Sequence, residues 1–273
     1  HVSQHGRVGE DLVIVAEAAV EDAPLAAPLD PRDGEVAVLE PTGFSISTLE
    51  GTPVRREPQT ISWSPVMAEK AGFKHFMLKE IFEQPRAIAD TLEGRIYQGR
   101  VVEAAFGVGA GEVFDKVQGV HIIACGTSYH AGLIGRHWME SLAGIPCSVE
   151  VASEFRYRRP VVRNSSLIVT ISQSGETADT LAGLQEARRL GFGQALAICN
   201  VPESSLTRES DLVLMTRAGP EIGVASTKAF TTQLVALRLL TLPPARRQGL
   251  SADHEQQLIE DMETLPRQIE AVF

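Results

Sequence analysis

Leu167-Ile168-Val169-Thr170-Ile171-Ser172-Gln173-Ser174-Gly175-Glu176-Thr177 decides how this chain is read. Residues 167–171 form a short, β-branched apolar run, followed at once by a turn rich in hydroxyls and glycine and then by an amphipathic helical pattern over 177–190. A strand that is apolar on both faces belongs in a parallel sheet covered on both sides by helices. Working outward, the same alternation recurs, with strands predicted at 120–124, 148–151, 195–199 and 212–215 and helices at 130–142 and 227–240. Helices of this length suit right-handed crossovers between parallel strands. The fold class is therefore α/β, a five-stranded parallel sheet wound in the flavodoxin manner, with a small N-terminal β segment and connecting helices.

In such sheets a ligand sits beyond the carboxyl ends of the strands, where the winding reverses. The first strand runs into Cys125-Gly126-Thr127-Ser128 and the third into the 172–177 turn, each directly before a helix. Hydroxyls, free N–H groups and the positive end of a helix suit a phosphate group. Ser or Thr before one helix is equally an ordinary cap, worth roughly 1 kcal/mol. Two such turns on one sheet edge point further, to a phosphosugar. Neither turn matches GxGxxG or GxxxxGK[ST], which disfavours dinucleotides and nucleoside triphosphates.

A third segment, Glu221-Ile222-Gly223-Val224-Ala225-Ser226-Thr227-Lys228, opens the last helix, and its small residues allow close backbone approach to a ligand. Lys228 reads as a solvated side chain rather than a Schiff-base amine, and Glu221 as surface charge or an acid–base group. His121, His130 and His137 form no triad pattern, and Cys125 reads as a packed thiol.

Composition narrows the classes. With 35 acidic and 25 basic residues the net charge is -10, the wrong sign for a nucleic-acid partner. Three cysteines without paired spacing predict no zinc site and no disulfide framework, and suit a reducing, cytoplasmic setting. No apolar run approaches the ~20 residues of a membrane span. No metal or organic cofactor is called for.

Residues 1–61 carry short β-branched runs, Val13-Ile14-Val15, Val36-Ala37-Val38-Leu39 and Phe44-Ser45-Ile46-Ser47, expected as antiparallel strands. Asp33-Gly34-Glu35 and Glu50-Gly51-Thr52 are placed to turn hairpins. Between Pro65 and Gly94, apolar spacing predicts two helical pieces interrupted at Pro85. After Pro243-Pro244, Leu258, Met262, Leu265 and Ile269 share one helical face that calls for a partner outside this chain.

These strings, with Ser153-Glu154-Phe155-Arg156-Tyr157-Arg158, Ile198-Cys199-Asn200-Val201 and Ala229-Phe230-Thr231, closely resemble the glucosamine-6-phosphate synthase family, the glutamine:fructose-6-phosphate aminotransferases (isomerizing). The resemblance is strongest over about 73–242. It divides the chain into 1–64, the end of a glutaminase domain in which 1–27 match poorly; 65–112, connecting helices; 113–243, a first sugar isomerase (SIS) domain; and 244–273, a helical linker toward a second SIS domain. The family joins ammonia from glutamine to fructose 6-phosphate, giving glucosamine 6-phosphate. The resemblance implies that Thr127, Ser128, Ser172, Gln173, Ser174 and Thr177 bind the phosphosugar, with Val224 and Ser226 lining the same pocket. It implies no catalytic residue here, because the family's nucleophilic cysteine, ring-opening histidine, isomerising glutamate and Schiff-base lysine have no counterpart in these residues. The expectation is a chain that binds hexose 6-phosphate without turnover, assembled as a homodimer through its isomerase half. Other classes stay open: a free-standing sugar-phosphate-binding regulatory module, or a single-domain phosphosugar isomerase using Glu154 or Glu221 as its base.

Overall fold

The computed structural model describes residues 12–16, 35–40, 43–55, 69–163 and 165–273. They fall into two units, His1–Glu69 and Lys70–Phe273.

In the first unit, β1 (Leu12–Ala16), β2 (Glu35–Glu40), β3 (Gly43–Thr48) and β4 (Pro53–Val54) form one sheet in chain order. Ala37 and Ile46 are buried opposite one another in the β2–β3 register, where alternation puts the apolar side chains on one face. The β2–β3 and β3–β4 pairs are antiparallel as expected, but β1 and β2 run parallel. Parallel neighbours are not joined by a tight turn, and Asp33 and Gly34 lie outside the described residues. Gly51 does turn the β3–β4 hairpin, with φ +84°.

The second unit opens with α1 (Phe76–Phe82) and α2 (Gln84–Leu92). The break falls at Glu83, and Pro85 sits inside the first turn of α2, where its missing N–H costs nothing. A short hairpin, β5 (Ile96–Tyr97) and β6 (Arg100–Val101), and helix α3 (Ala110–Lys116) lead into the main sheet. That sheet comprises β7 (Gly119–Ala124), β8 (Cys147–Val151), β9 (Ser166–Ser172), β10 (Gln194–Cys199) and β11 (Leu212–Met215). All pairings are parallel and the order is β8-β7-β9-β10-β11, so the winding reverses between β7 and β9.

Alternation along each strand builds two cores. Val120, Ile122 and Ala124 of β7, with Leu167, Val169 and Ile171 of β9, face α4 (Gly126–Ala143) and α8 (Lys228–Arg247). Ile123 and Ile168 face the other way, toward α5 (Ala152–Phe155), α6 (Ala178–Leu190) and α7 (Ser205–Arg208). Covering both faces explains why the inner positions of β7 and β9 are mostly apolar, with His121 and Thr170 as buried polar exceptions.

The carboxyl end differs from expectation twice. Pro243 and Pro244 lie inside α8, which continues to Arg247, so position 243/244 divides a helix. Leu239, Leu240, Leu242 and Ala245 around the prolines are wholly buried, and that packing outweighs the ~3 kcal/mol a helical proline costs. The face of α9 (Ala252–Glu270) expected to seek an outside partner is covered by its own chain. Ile259 and Met262 are buried in the core, and Leu258, Leu265 and Ile269 pack against it. Arg246 joins the two helices by an ion pair to Glu255, whose carboxylate is wholly buried.

Candidate functional site

The register sets β7 and β9 side by side at their carboxyl ends, Ala124 opposite Ile171. The segments that follow, 125–128 and 172–177, therefore flank the reversal point. A contact links the first segment to the helix that follows the second: the Thr180 hydroxyl of α6 donates to the Cys125 sulfur at 3.9 Å.

After β7 the helix begins earlier than expected. Cys125 is the extended residue before α4, so Thr127 and Ser128 stand in its first turn rather than in a preceding loop. Thr127 is exposed and Ser128 largely buried. The N–H groups of this turn have no acceptor within the helix, which is what an anion uses.

The turn after β9 is built from its own hydroxyls. Ser172 Oγ accepts the Gly175 N–H at 3.0 Å and lies 3.0 Å from Thr177 Oγ1. Ser174 Oγ accepts the Glu176 N–H at 3.2 Å. Gln173, Ser174 and Thr177 are half-buried, and Thr177 precedes α6 with its side chain free of any capping bond. Gly175 has φ +70°, and a Cβ there would lie 2.0 Å from Ser204 Oγ and 2.8 Å from Cys199 Sγ, so only glycine fits. The segment 199–206 braces the turn from behind: Leu206 N–H donates to Gly175 O at 3.1 Å and Ser205 N–H to Glu176 Oε1 at 2.7 Å. Burial pushes the Cys199 thiol above its ordinary pKa, which makes it a packing group.

The third segment leads into α8, which packs along α4 with Gly135 against Leu237, both helices opening toward the same sheet edge. Val224 is fully exposed and Ser226 half-buried. Glu221 is not free surface charge. Its carboxylate caps α8, accepting Thr227 N–H at 2.9 Å, Ala229 N–H at 3.1 Å and Ser226 Oγ–H at 3.2 Å. Lys228, expected in solvent, is 3% exposed and ion-paired to Glu83 at 2.7 Å.

The carboxylates of these segments are thus turned onto backbone N–H groups, leaving hydroxyls and helix ends for an anion. The elements that hold them, Glu80, Glu176, Asn200 and Ser204, escaped sequence reasoning. Asn200 is 3% exposed and shapes the stretch after β11, accepting Ala218 N–H at 2.7 Å and donating to Gly219 O at 2.7 Å. Its place directly after β10 was the available signal.

Elsewhere, His121 is buried behind the sheet between Phe155 and Phe192. Its Nε2 lies 2.7 Å from Glu150 Oε1 without hydrogen-bond alignment, and burial holds its pKa below 6.5 against the pull of that carboxylate. His130 and His137 are exposed on α4. An open cleft of about 360 Å³, lined by Val113, Lys116, Ser166, Gln194 and Asp211, lies at the opposite, amino end of the strands. Gly109 at the start of the seven-residue α3 and Ser166 also line it, but it lies away from the carboxyl edge where the hydroxyl-bearing segments converge. Among the described residues no cluster has the makings of a metal site, and no helix is long and apolar enough to cross a membrane.

Residues 115–243 match the SIS domain family. Glutamine–fructose-6-phosphate aminotransferase (isomerizing) of Pseudomonas syringae is 57% identical over 239 residues, covering 87% of this chain and 39% of the relative. The Escherichia coli protein of that name is 51% identical over 242 residues, 89% of this chain and 40% of its own length. Over 87% of its length the chain is homologous to these aminotransferases, and it carries a SIS domain. It spans about two fifths of the length of these aminotransferases. The C-terminal domain of the Francisella tularensis aminotransferase superposes with a TM-score of 0.71 at 49% identity, over 73% of this chain and 56% of that one. The five-stranded parallel architecture is therefore a family property as well as a reading of the residues.

Proposed function

We propose that this chain supplies the phosphosugar-binding site of a glutamine–fructose-6-phosphate aminotransferase, taking fructose 6-phosphate or glucosamine 6-phosphate. The observation that carries the reading is the pair of hydroxyl-bearing segments at the reversal point, each opening a helix, with neighbouring carboxylates occupied by backbone N–H groups. In this reading Thr127, Ser128, Ser172, Gln173, Ser174 and Thr177 hold the phosphate end, and Val224 and Ser226 border the sugar. Residues 113–243 form the binding domain, 65–112 and 244–273 flank it, and 1–64 end a glutaminase-like domain. Glu176 and Glu221 act as caps, and in this reading the chain binds hexose 6-phosphate without synthesising glucosamine 6-phosphate. A cytoplasmic homodimer joined through the isomerase half, with no nucleic-acid partner, accompanies this reading.

Calorimetric titration with fructose 6-phosphate tests it, with fructose as control. Binding that requires the phosphate and disappears in Ser174→Ala/Thr177→Ala is expected. A folded chain that binds neither hexose phosphate overturns the assignment.

A further inference from the structure

The SIS match begins at residue 115, yet the third segment of the site is held from outside it. Glu80 of α1 is 2% exposed, and its carboxylate accepts Ile222 N–H at 2.6 Å and Gly223 N–H at 3.0 Å. A Cβ on Gly223 would lie 2.5 Å from Glu80 Oε2 and 3.5 Å from the Met77 Cα, so the backbone approaches the carboxylate as closely as glycine allows. One turn on, Glu83 binds Lys228 at the start of α8. The α2 region continues the pattern on the preceding residues. The Thr91 hydroxyl donates to Thr216 O, the Arg95 guanidinium to Met215 O, and Arg217 Nη1 to Glu93 O at 3.0 Å. From the end of β11 to Gly223, the chain thus lies on a template formed by residues 80–95.

We propose that Glu80 is a positioning residue for the sugar site: by anchoring Ile222 and Gly223, α1 sets where Val224 and Ser226 stand. The connecting helices then form part of the binding site rather than a spacer before it. This rests on the phosphosugar reading above for the identity of the ligand, but not for the anchoring itself. A buried carboxylate accepting two N–H groups leaves both unpaired when removed, and the hydroxyls of this segment, Ser226 and Thr227, are bonded to Glu221 rather than to these amides.

The full chain, Glu80→Leu and Glu80→Gln decide the matter in two arms. In hydrogen exchange, Ile222 and Gly223 amides are expected to exchange about tenfold faster or more in Glu80→Leu, and less so in Glu80→Gln, which keeps one acceptor, while β9 amides stay unchanged. Unchanged exchange at 222–223 overturns the anchoring. In calorimetry, fructose 6-phosphate is expected to weaken about tenfold in Glu80→Leu with partial recovery in Glu80→Gln, while inorganic phosphate binds as before. Equal loss for both ligands, or no loss for the sugar phosphate, overturns the positioning role. If the unaltered chain binds no hexose phosphate, the ligand reading fails while the exchange arm still decides the anchoring.

Discussion

The turn at 172–177 and the segment at 221–227 serve the same sheet edge but are held in opposite ways. The first is braced by its own hydroxyls and by the adjacent 199–206 stretch, all within the sheet domain. The second depends on Glu221 at the start of its own helix and on Glu80, 142 residues away in sequence. A rigid turn suits a phosphate, whose geometry never varies. The second segment takes its position from a neighbouring helix.

The sharpest way to break this contrast is Gly175→Val. The side chain meets Ser204 and Cys199 and the backbone is left-handed, so a loss of about 3 kcal/mol or more is expected in urea unfolding, with hexose phosphate binding abolished. Gly223→Ala, whose backbone is not left-handed and whose Cβ meets the end of the Glu80 side chain at 2.5 Å, is expected to cost less stability than Gly175→Val.

Acid probes the core behind the sheet rather than either segment. His121 has a folded pKa below its unfolded value near 6.5, so it takes up protons more readily when unfolded, and stability is lost as pH falls through that value. The Glu150 pKa is also lowered: burial opposes this, but the Arg158 hydrogen bond and His121 outweigh it. Its contribution is present above about 4.5 and lost as pH falls through its lower folded pKa. Urea midpoints should therefore fall steadily below neutrality, and His121→Phe should remove the upper part of that slope.

Glu221→Ala uncovers the Thr227 and Ala229 N–H groups at the start of α8 and is expected to cost about 1 kcal/mol, read in the same unfolding assay. Val224→Ser, at a fully exposed position, is expected to shift stability by no more than about 0.5 kcal/mol, so any effect on hexose phosphate binding reports the ligand contact alone.

The two segments also differ in how far they could be read from sequence. Ser172, Ser174, Gly175 and Thr177 lie within six consecutive residues, and the contacts among them are local, so their composition announces the turn. Glu80 carries no such mark: on an amphipathic helix it looks like any exposed glutamate. The same blindness affected Lys228, assigned to solvent but buried by Glu83, and the α9 stripe, which found its cover on the chain itself. Pro243 and Pro244 misled in the other direction, since local propensity argues for an end that the burial around them overrides.

Periodicity and turn chemistry by themselves determined the parallel sheet, its strand positions within a residue or so and the hydroxyl turn after β9, because each arises from forces between near neighbours in the chain. Tertiary structure alone decided the β1–β2 direction, the reach of α4 and α8, and the pairing of buried carboxylates with distant backbone N–H groups. Those depend on which surfaces meet after folding, and a buried charge takes whatever unpaired donor the packing brings to it.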